Sequence, residues 1–89
     1  MTEKCFADIV INKERLSDGS DVYVAHCSNL GITSQGETTE EAMKNIREAI
    51  ELYLEERPEA YSELTSSIEP PIFSVIELVR NAKTSNIVR

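Results

Sequence analysis

GITSQGETTEEAMKNIREAIELYLEE, residues 31–56, passes from a β-like run through a glycine into an acidic helix, and that succession decides the fold. Ile32 to Gly36 is short, polar and β-branched, as expected of a strand. Thr38 then stands three residues before Glu41, the spacing of a capping box. The Thr38 hydroxyl can accept from the Glu41 amide while the Glu41 carboxylate reaches back to the Thr38 amide. Glu40 and Glu41 also face the positive end of the helix dipole. From there Ala42, Ile46, Ala49, Ile50, Tyr53 and Leu54 recur at helical spacing and form a stripe that must bury against a flat surface. Lys44 with Glu48, and Arg47 with Glu51, place opposite charges four residues apart on the wet side. Pro58 cannot continue the helix and biases Arg57 out of the α region.

Working outward, CFADIVINK (5–13) reads as a first strand, with Cys5, Ala7, Ile9 and Ile11 on one face and Phe6, Asp8, Val10 and Asn12 on the other. RLSDGSD (15–21) is a hairpin loop in which Gly19 supplies the positive φ that such turns need. VYVAHC (22–27) is a second strand, and SNLG (28–31) turns the chain into the third. Beyond the helix, EAYSELTSSIEPP (59–71) is polar, with room for a helical turn around Tyr61 to Leu64. IFSVIELVR (72–80) reads as the last strand, and residues 81–89 as a basic tail. The expectation is one α+β domain over 1–80 with a β-β-β-α-β arrangement. Three antiparallel strands are followed by a long helix and a fourth strand parallel to one of them.

That layout leaves apolar surface over. The first strand offers Phe6 and Val10 on one side and Ala7, Ile9 and Ile11 on the other, and the last offers Phe73, Val75 and Val79 opposite Ile72, Ile76 and Leu78. One helix covers one face, so a homodimer or hetero-complex is expected, with Phe73, Val75 and Val79 as oligomer-interface residues.

Charge narrows the partner. The net charge is −7, concentrated in residues 36–69, which hold ten acidic and three basic side chains, while residues 70–89 hold one acidic and three basic. Such a body repels phosphate, so direct nucleic-acid binding is disfavoured. No apolar run approaches membrane-spanning length, and the N-terminus lacks the series of features that make a secretory leader, so a cytoplasmic protein is expected. Cys5 and Cys27 read as small buried hydrophobes in strands. His26 and Cys27 lack the further soft ligands a zinc site requires, so neither metal nor cofactor is expected.

The run Tyr-Val-Ala-His in the second strand, the Leu30-Gly31 turn, Gly36-Glu37-Thr38 followed by Glu40-Glu41-Ala42, and the Ile-x-x-Ala-Ile helix body together resemble the HicB-type antitoxin family over residues 5 to 56. The resemblance implies that the β-β-β-α-β arrangement is a partial ribonuclease-H-like fold. It also implies a partner, a small basic HicA-type toxin that cuts mRNA, whose RNA site the antitoxin blocks. Many family members carry a C-terminal DNA-binding segment; after the last expected strand nine residues remain here, too few for one, so operator binding is not expected. An acidic partner can occupy a basic RNA site as a phosphate mimic, which makes Glu48, Glu51, Glu55 and Glu56 the partner-binding candidates.

Two other readings differ in class. A ribonuclease-H-like nuclease would clamp metal ions with converging carboxylates, and Asp8, Glu48 and Glu77 are the residues in position to be tested for it. A stand-alone interaction or ligand-binding module would have the same body and no toxin. His26 lacks an evident orienting partner for acid–base work, and no catalytic residue is assigned.

Overall fold

The structure, a computed structural model, describes residues 4–80. Its elements are β1 (Lys4–Phe6), β2 (Ile9–Arg15), β3 (Asp21–Cys27), β4 (Ile32–Gly36), α1 (Thr39–Glu56), a 3-10 helix over Pro58–Glu63, and β5 (Thr65–Ser67). They form a three-stranded antiparallel sheet in the order β2-β3-β4 and a two-stranded antiparallel sheet of β1 and β5. The fold class is therefore α+β, with three antiparallel strands, one main helix and a strand after it.

Register separates the two faces of the larger sheet. Ile11 stands opposite Ala25, which stands opposite Ser34; one residue along, Val10, His26 and Thr33 make the corresponding row on the other face. Period-two alternation thus sends Ile9, Ile11, Tyr23, Ala25, Cys27 and Ile32 to the side covered by α1. The helix answers with Ala42, Ile46, Ile50 and Leu54, one residue per turn, all buried. Ala25 and Ala42 are fully buried; their small side chains let helix and sheet approach closely. Ala49 and Tyr53, expected on the same stripe, sit at its margins and are half-buried.

The expected first strand is broken in two. At Asp8 the backbone leaves the ladder: its N–H donates to Asn29 Oδ1 at 2.7 Å, and its carbonyl accepts from the Ser28 amide at 3.2 Å. The break lets β1 pair with β5 while β2 pairs with β3. Asn29 also donates through Nδ2 to the Glu63 carbonyl at 3.3 Å, tying the β3–β4 turn to the end of the 3-10 helix. Cys5 is consequently exposed, contrary to expectation, whereas Cys27 is buried in the core.

The hairpin between β2 and β3 forms as expected. Gly19 has φ +90°, and the Leu16 amide donates to the Ser20 carbonyl at 2.7 Å. Asp18 Oδ1 accepts from both the hydroxyl and the amide of Ser20, which holds its carboxyl below the ordinary carboxylate value.

The largest departure lies after the helix. Residues 72–80 form no strand; Phe73, Val75 and Val79, expected at an interface, are exposed, as are Ile72, Ile76 and Leu78. The strand that follows the helix is β5, and it runs antiparallel to β1 where a parallel crossover was expected. The reason is local. The 3-10 helix begins at Pro58 and delivers Thr65–Ser67 directly beside β1, so the pairing position is taken before the apolar segment begins. Pro70 and Pro71 then remove two backbone donors and hold the chain extended. The expected tail, 81–89, lies outside the described residues.

Candidate partner-binding surface

The surface is built from the entry to α1. β4 ends at Gly36 against the first turn of the helix, where a Cβ would lie 2.5 Å from the Ala42 nitrogen and 2.8 Å from the Glu41 carbonyl carbon. Only glycine admits this approach. Thr38 then takes an extended backbone, φ −134° and ψ 164°, and its hydroxyl accepts from the Glu41 amide at 3.0 Å. The reciprocal arm of the capping box is displaced by one residue: Glu41 Oε1 accepts from the Glu37 amide at 2.7 Å instead of from Thr38. Asn45 Nδ2 donates to the Gln35 carbonyl at 2.8 Å, so the helix also holds the last turn of β4 from the side. Each named piece of Gly-Glu-Thr-x-x-Glu-Ala therefore has a job in the connection, and none of its polar groups is presented as a binding site.

With Ala42, Ile46, Ile50 and Leu54 facing the sheet, 3.6 residues per turn carries Glu48 and Glu55 to the opposite side and Glu51 and Glu56 to its two flanks. All four are exposed. Glu51 Oε2 lies 3.9 Å from Arg47 Nη1, a solvent-screened pair. The Arg57 guanidinium lies 5.8 Å from the Tyr53 ring centroid, beyond the last turn. In the middle of this acidic face stands Leu52, 57% exposed. Its neighbours at three and four residues are Glu48, Ala49, Glu55 and Glu56. An exposed leucine framed by carboxylates has the anatomy of a small protein-binding patch, with an apolar centre and a polar rim.

Against known proteins, no family model matches the sequence and no solved structure gives a significant match. The chain is similar to the UPF0150 protein ssr1765 of Synechocystis sp. (strain ATCC 27184 / PCC 6803 / Kazusa), with 46% identity over 56 residues that cover 62% of this chain and 68% of the relative. This chain belongs to the UPF0150 family.

Among the described residues of this UPF0150 chain, no group of three or more His, Cys, Asp or Glu side chains could hold a metal ion. Asp8, Glu48 and Glu77 are therefore not brought together. Asp8 Oδ2 accepts from Thr65 Oγ1 at 3.2 Å, while Oδ1 is buried without a hydrogen-bond partner among the described residues; its role is at the junction of the two sheets. His26 is exposed on the sheet face away from the helix, with Nδ1 3.0 Å from Thr33 Oγ1 across the strand pair. No described helix is long and apolar enough to cross a membrane.

Two residues of this UPF0150 fold escaped the sequence reading. Leu52 falls two positions after Ile50, off the buried stripe, and that displacement was the available signal. Asn29 gave none. Its importance comes from three segments meeting at one side chain, which nothing in a turn sequence announces.

Proposed function

We propose that this protein is an antitoxin-like inhibitor that binds a HicA-type, basic, mRNA-cleaving toxin and covers its RNA site, acting by stoichiometric binding without chemistry of its own. The UPF0150 family is related to HicB-like antitoxins, and this supports the reading at family level. The observation that carries it is the outer face of α1, where Glu48, Glu55 and Glu56 surround exposed Leu52. An RNA-cutting enzyme is cationic where phosphate lies. An acidic helix face gains association rate from that field, and a central leucine gives the docked pair a desolvated anchor.

The test is inhibition of mRNA cleavage by a HicA-type toxin, with association followed at several salt concentrations. Changing Glu48, Glu51, Glu55 and Glu56 together to glutamine is expected to slow association by at least about tenfold at low salt and to flatten its salt dependence. Leu52→Ala is expected to act on dissociation instead. Unchanged inhibition and kinetics in both variants would remove this face from the contact. Absence of any binding by the unaltered protein would remove the toxin.

A further inference from the structure

Two unsatisfied features among the described residues have matching needs. The first is the outer edge of β2, which among the described residues pairs only with β3. Its far end is protected by charge: Lys13 and Arg15 lie 3.5 and 3.4 Å from Asp21 of the neighbouring strand. Its near end, Ile9-Val10-Ile11, has no such guard, and Val10 is 57% exposed. The opposite edge of the sheet differs, because α1 lies along β4 and Asn45 bonds the Gln35 carbonyl there. The second feature is the arm, residues 72–80. It has strand-forming sequence, six exposed large apolar residues and no element of regular structure. A strand apolar on both faces belongs inside a sheet that is covered on both faces.

One chain cannot bring these two features together along their length. β5 runs antiparallel to β1, with Phe6 opposite Thr65 and Lys4 opposite Ser67, so the chain leaves β5 at the end of β1 remote from β2. After the bend at Ile68–Glu69 and the stiff Pro70-Pro71 pair, only Phe73, Ser74 and Val75 pass Asp8–Ile11, lining a shared cavity of about 400 Å³. Phe73, at 69%, is the least exposed apolar residue of the arm, and Val75 is already at 94%. No backbone hydrogen bond links the arm to β2 among the described residues.

We propose that two copies of this chain associate by exchanging arms, residues 72–79 of each copy forming an added strand on the free edge of the other copy's β2. A second copy supplies both missing halves at once: an arm for the edge and an edge for the arm, related by a two-fold axis. The arm's inner side chains then cover the apolar groove of about 340 Å³ beside α1, which Phe6, Ile9, Met43 and Ile46 help to line. Charge permits the same occupant. Residues 36–69 carry −7 by count, ten acidic against three basic, whereas the arm, residues 72–80, holds one acidic and one basic side chain, Glu77 and Arg80. The arm therefore approaches a second acidic body without net like-charge repulsion. Burying the three inner apolar side chains of each arm at roughly 100 Å² each removes on the order of 600 Å² from the two arms. With the surfaces they cover, the total reaches the ~1,200–2,000 Å² of stable complexes.

Sedimentation velocity of the full chain over a concentration series, without any toxin, is expected to show a dimer. Phe73→Asp combined with Val75→Asp is expected to yield a monomer with an unchanged far-ultraviolet circular dichroism spectrum, since both residues lie outside the core. A second measurement does not depend on the variant: isotope-filtered NMR on a mixture of labelled and unlabelled unaltered chains is expected to connect Val10 or Ile11 of one copy with Val75 or Ile76 of the other. A monomer at every concentration overturns the proposal. So does a dimer that survives the double substitution, or filtered contacts that join other surfaces. These outcomes are independent of toxin binding, which the helix glutamates test separately.

Discussion

At its N-terminal end α1 is fastened to the sheet by a glycine with no room for a methyl group, a threonine cap and a glutamate that accepts the Glu37 amide. Beyond its C-terminal end the chain holds two turns of 3-10 helix and a three-residue strand, then runs on as an unpaired arm. Apolar content does not distinguish the two regions. Ile46 is 1% exposed and Ile72 is 96% exposed, yet each belongs to a run rich in aliphatic residues. What differs is the partner. The helix stripe meets a sheet face whose register presents Ala25 and Cys27 to it, whereas the arm follows two prolines and finds its pairing position already taken by β5. Burial is thus a property of what the topology brings opposite a residue, and apolar character only makes a residue eligible for it.

The contrast predicts a large asymmetry in stability. Ile46→Ala removes a fully buried side chain between helix and sheet and is expected to cost about 2–5 kcal/mol in chemical denaturation. Ile76→Ala, on the arm, is expected to leave the unfolding of the body unchanged to within about 0.5 kcal/mol under conditions where the chain is monomeric. Equal losses at the two positions would mean that the arm is packed in the single chain.

Residues 31–56 could be read almost completely in advance because their structure is set by local rules. A capping threonine, a helical period and a terminating proline act within a few positions, and α1 begins after Thr38 and ends before Arg57 accordingly. The hairpin and its Gly19 follow from equally short-range chemistry. The break at Asp8 and the fate of 72–80 depend on competition between distant segments. Asn29 reaches Asp8 across 21 positions, and Thr65 reaches it across 57. Periodicity identifies a segment able to form a strand but not whether an edge is available when the chain arrives. The candidate surface divides in the same way: the exposed glutamates of α1 followed from the helix period, while Leu52 among them became meaningful only once the buried stripe was known.

Gly36→Ala probes the tight end of the comparison more selectively. The new methyl would press on backbone atoms of Glu41 and Ala42, which have no rotamer to yield with, so the helix start must shift away from β4. The expected destabilisation is about 1–3 kcal/mol, and for a domain of this size each kcal/mol lowers Tm by about 4–8 °C. A Tm close to that of the unaltered protein would show that the β4–α1 connection has slack, and that the glycine of the Gly-Glu-Thr element is required by something other than close approach.

The smallest effect concerns the cap alone. Thr38→Ala deprives the Glu41 amide of its acceptor without altering the packed stripe, and is expected to cost about 1 kcal/mol, with Thr38→Ser restoring most of it. Hydrogen exchange separates this from a general loosening. The Glu41 amide is expected to exchange faster in the alanine variant, because its hydroxyl acceptor is gone, while amides near Ile50, held by the helix ladder, change only by the global loss of stability. At the other end, Arg57 closes the helix through its backbone N–H, which donates to the Tyr53 carbonyl at 2.8 Å, and no basic residue lies in the last turn. A side-chain substitution at Arg57 therefore leaves that hydrogen bond in place, and Arg57→Ala is expected to fall well below Thr38→Ala in cost. If the two variants proved equal, the difference between the fastened entry and the loose exit would have to lie in packing alone, with the polar cap contributing nothing to it.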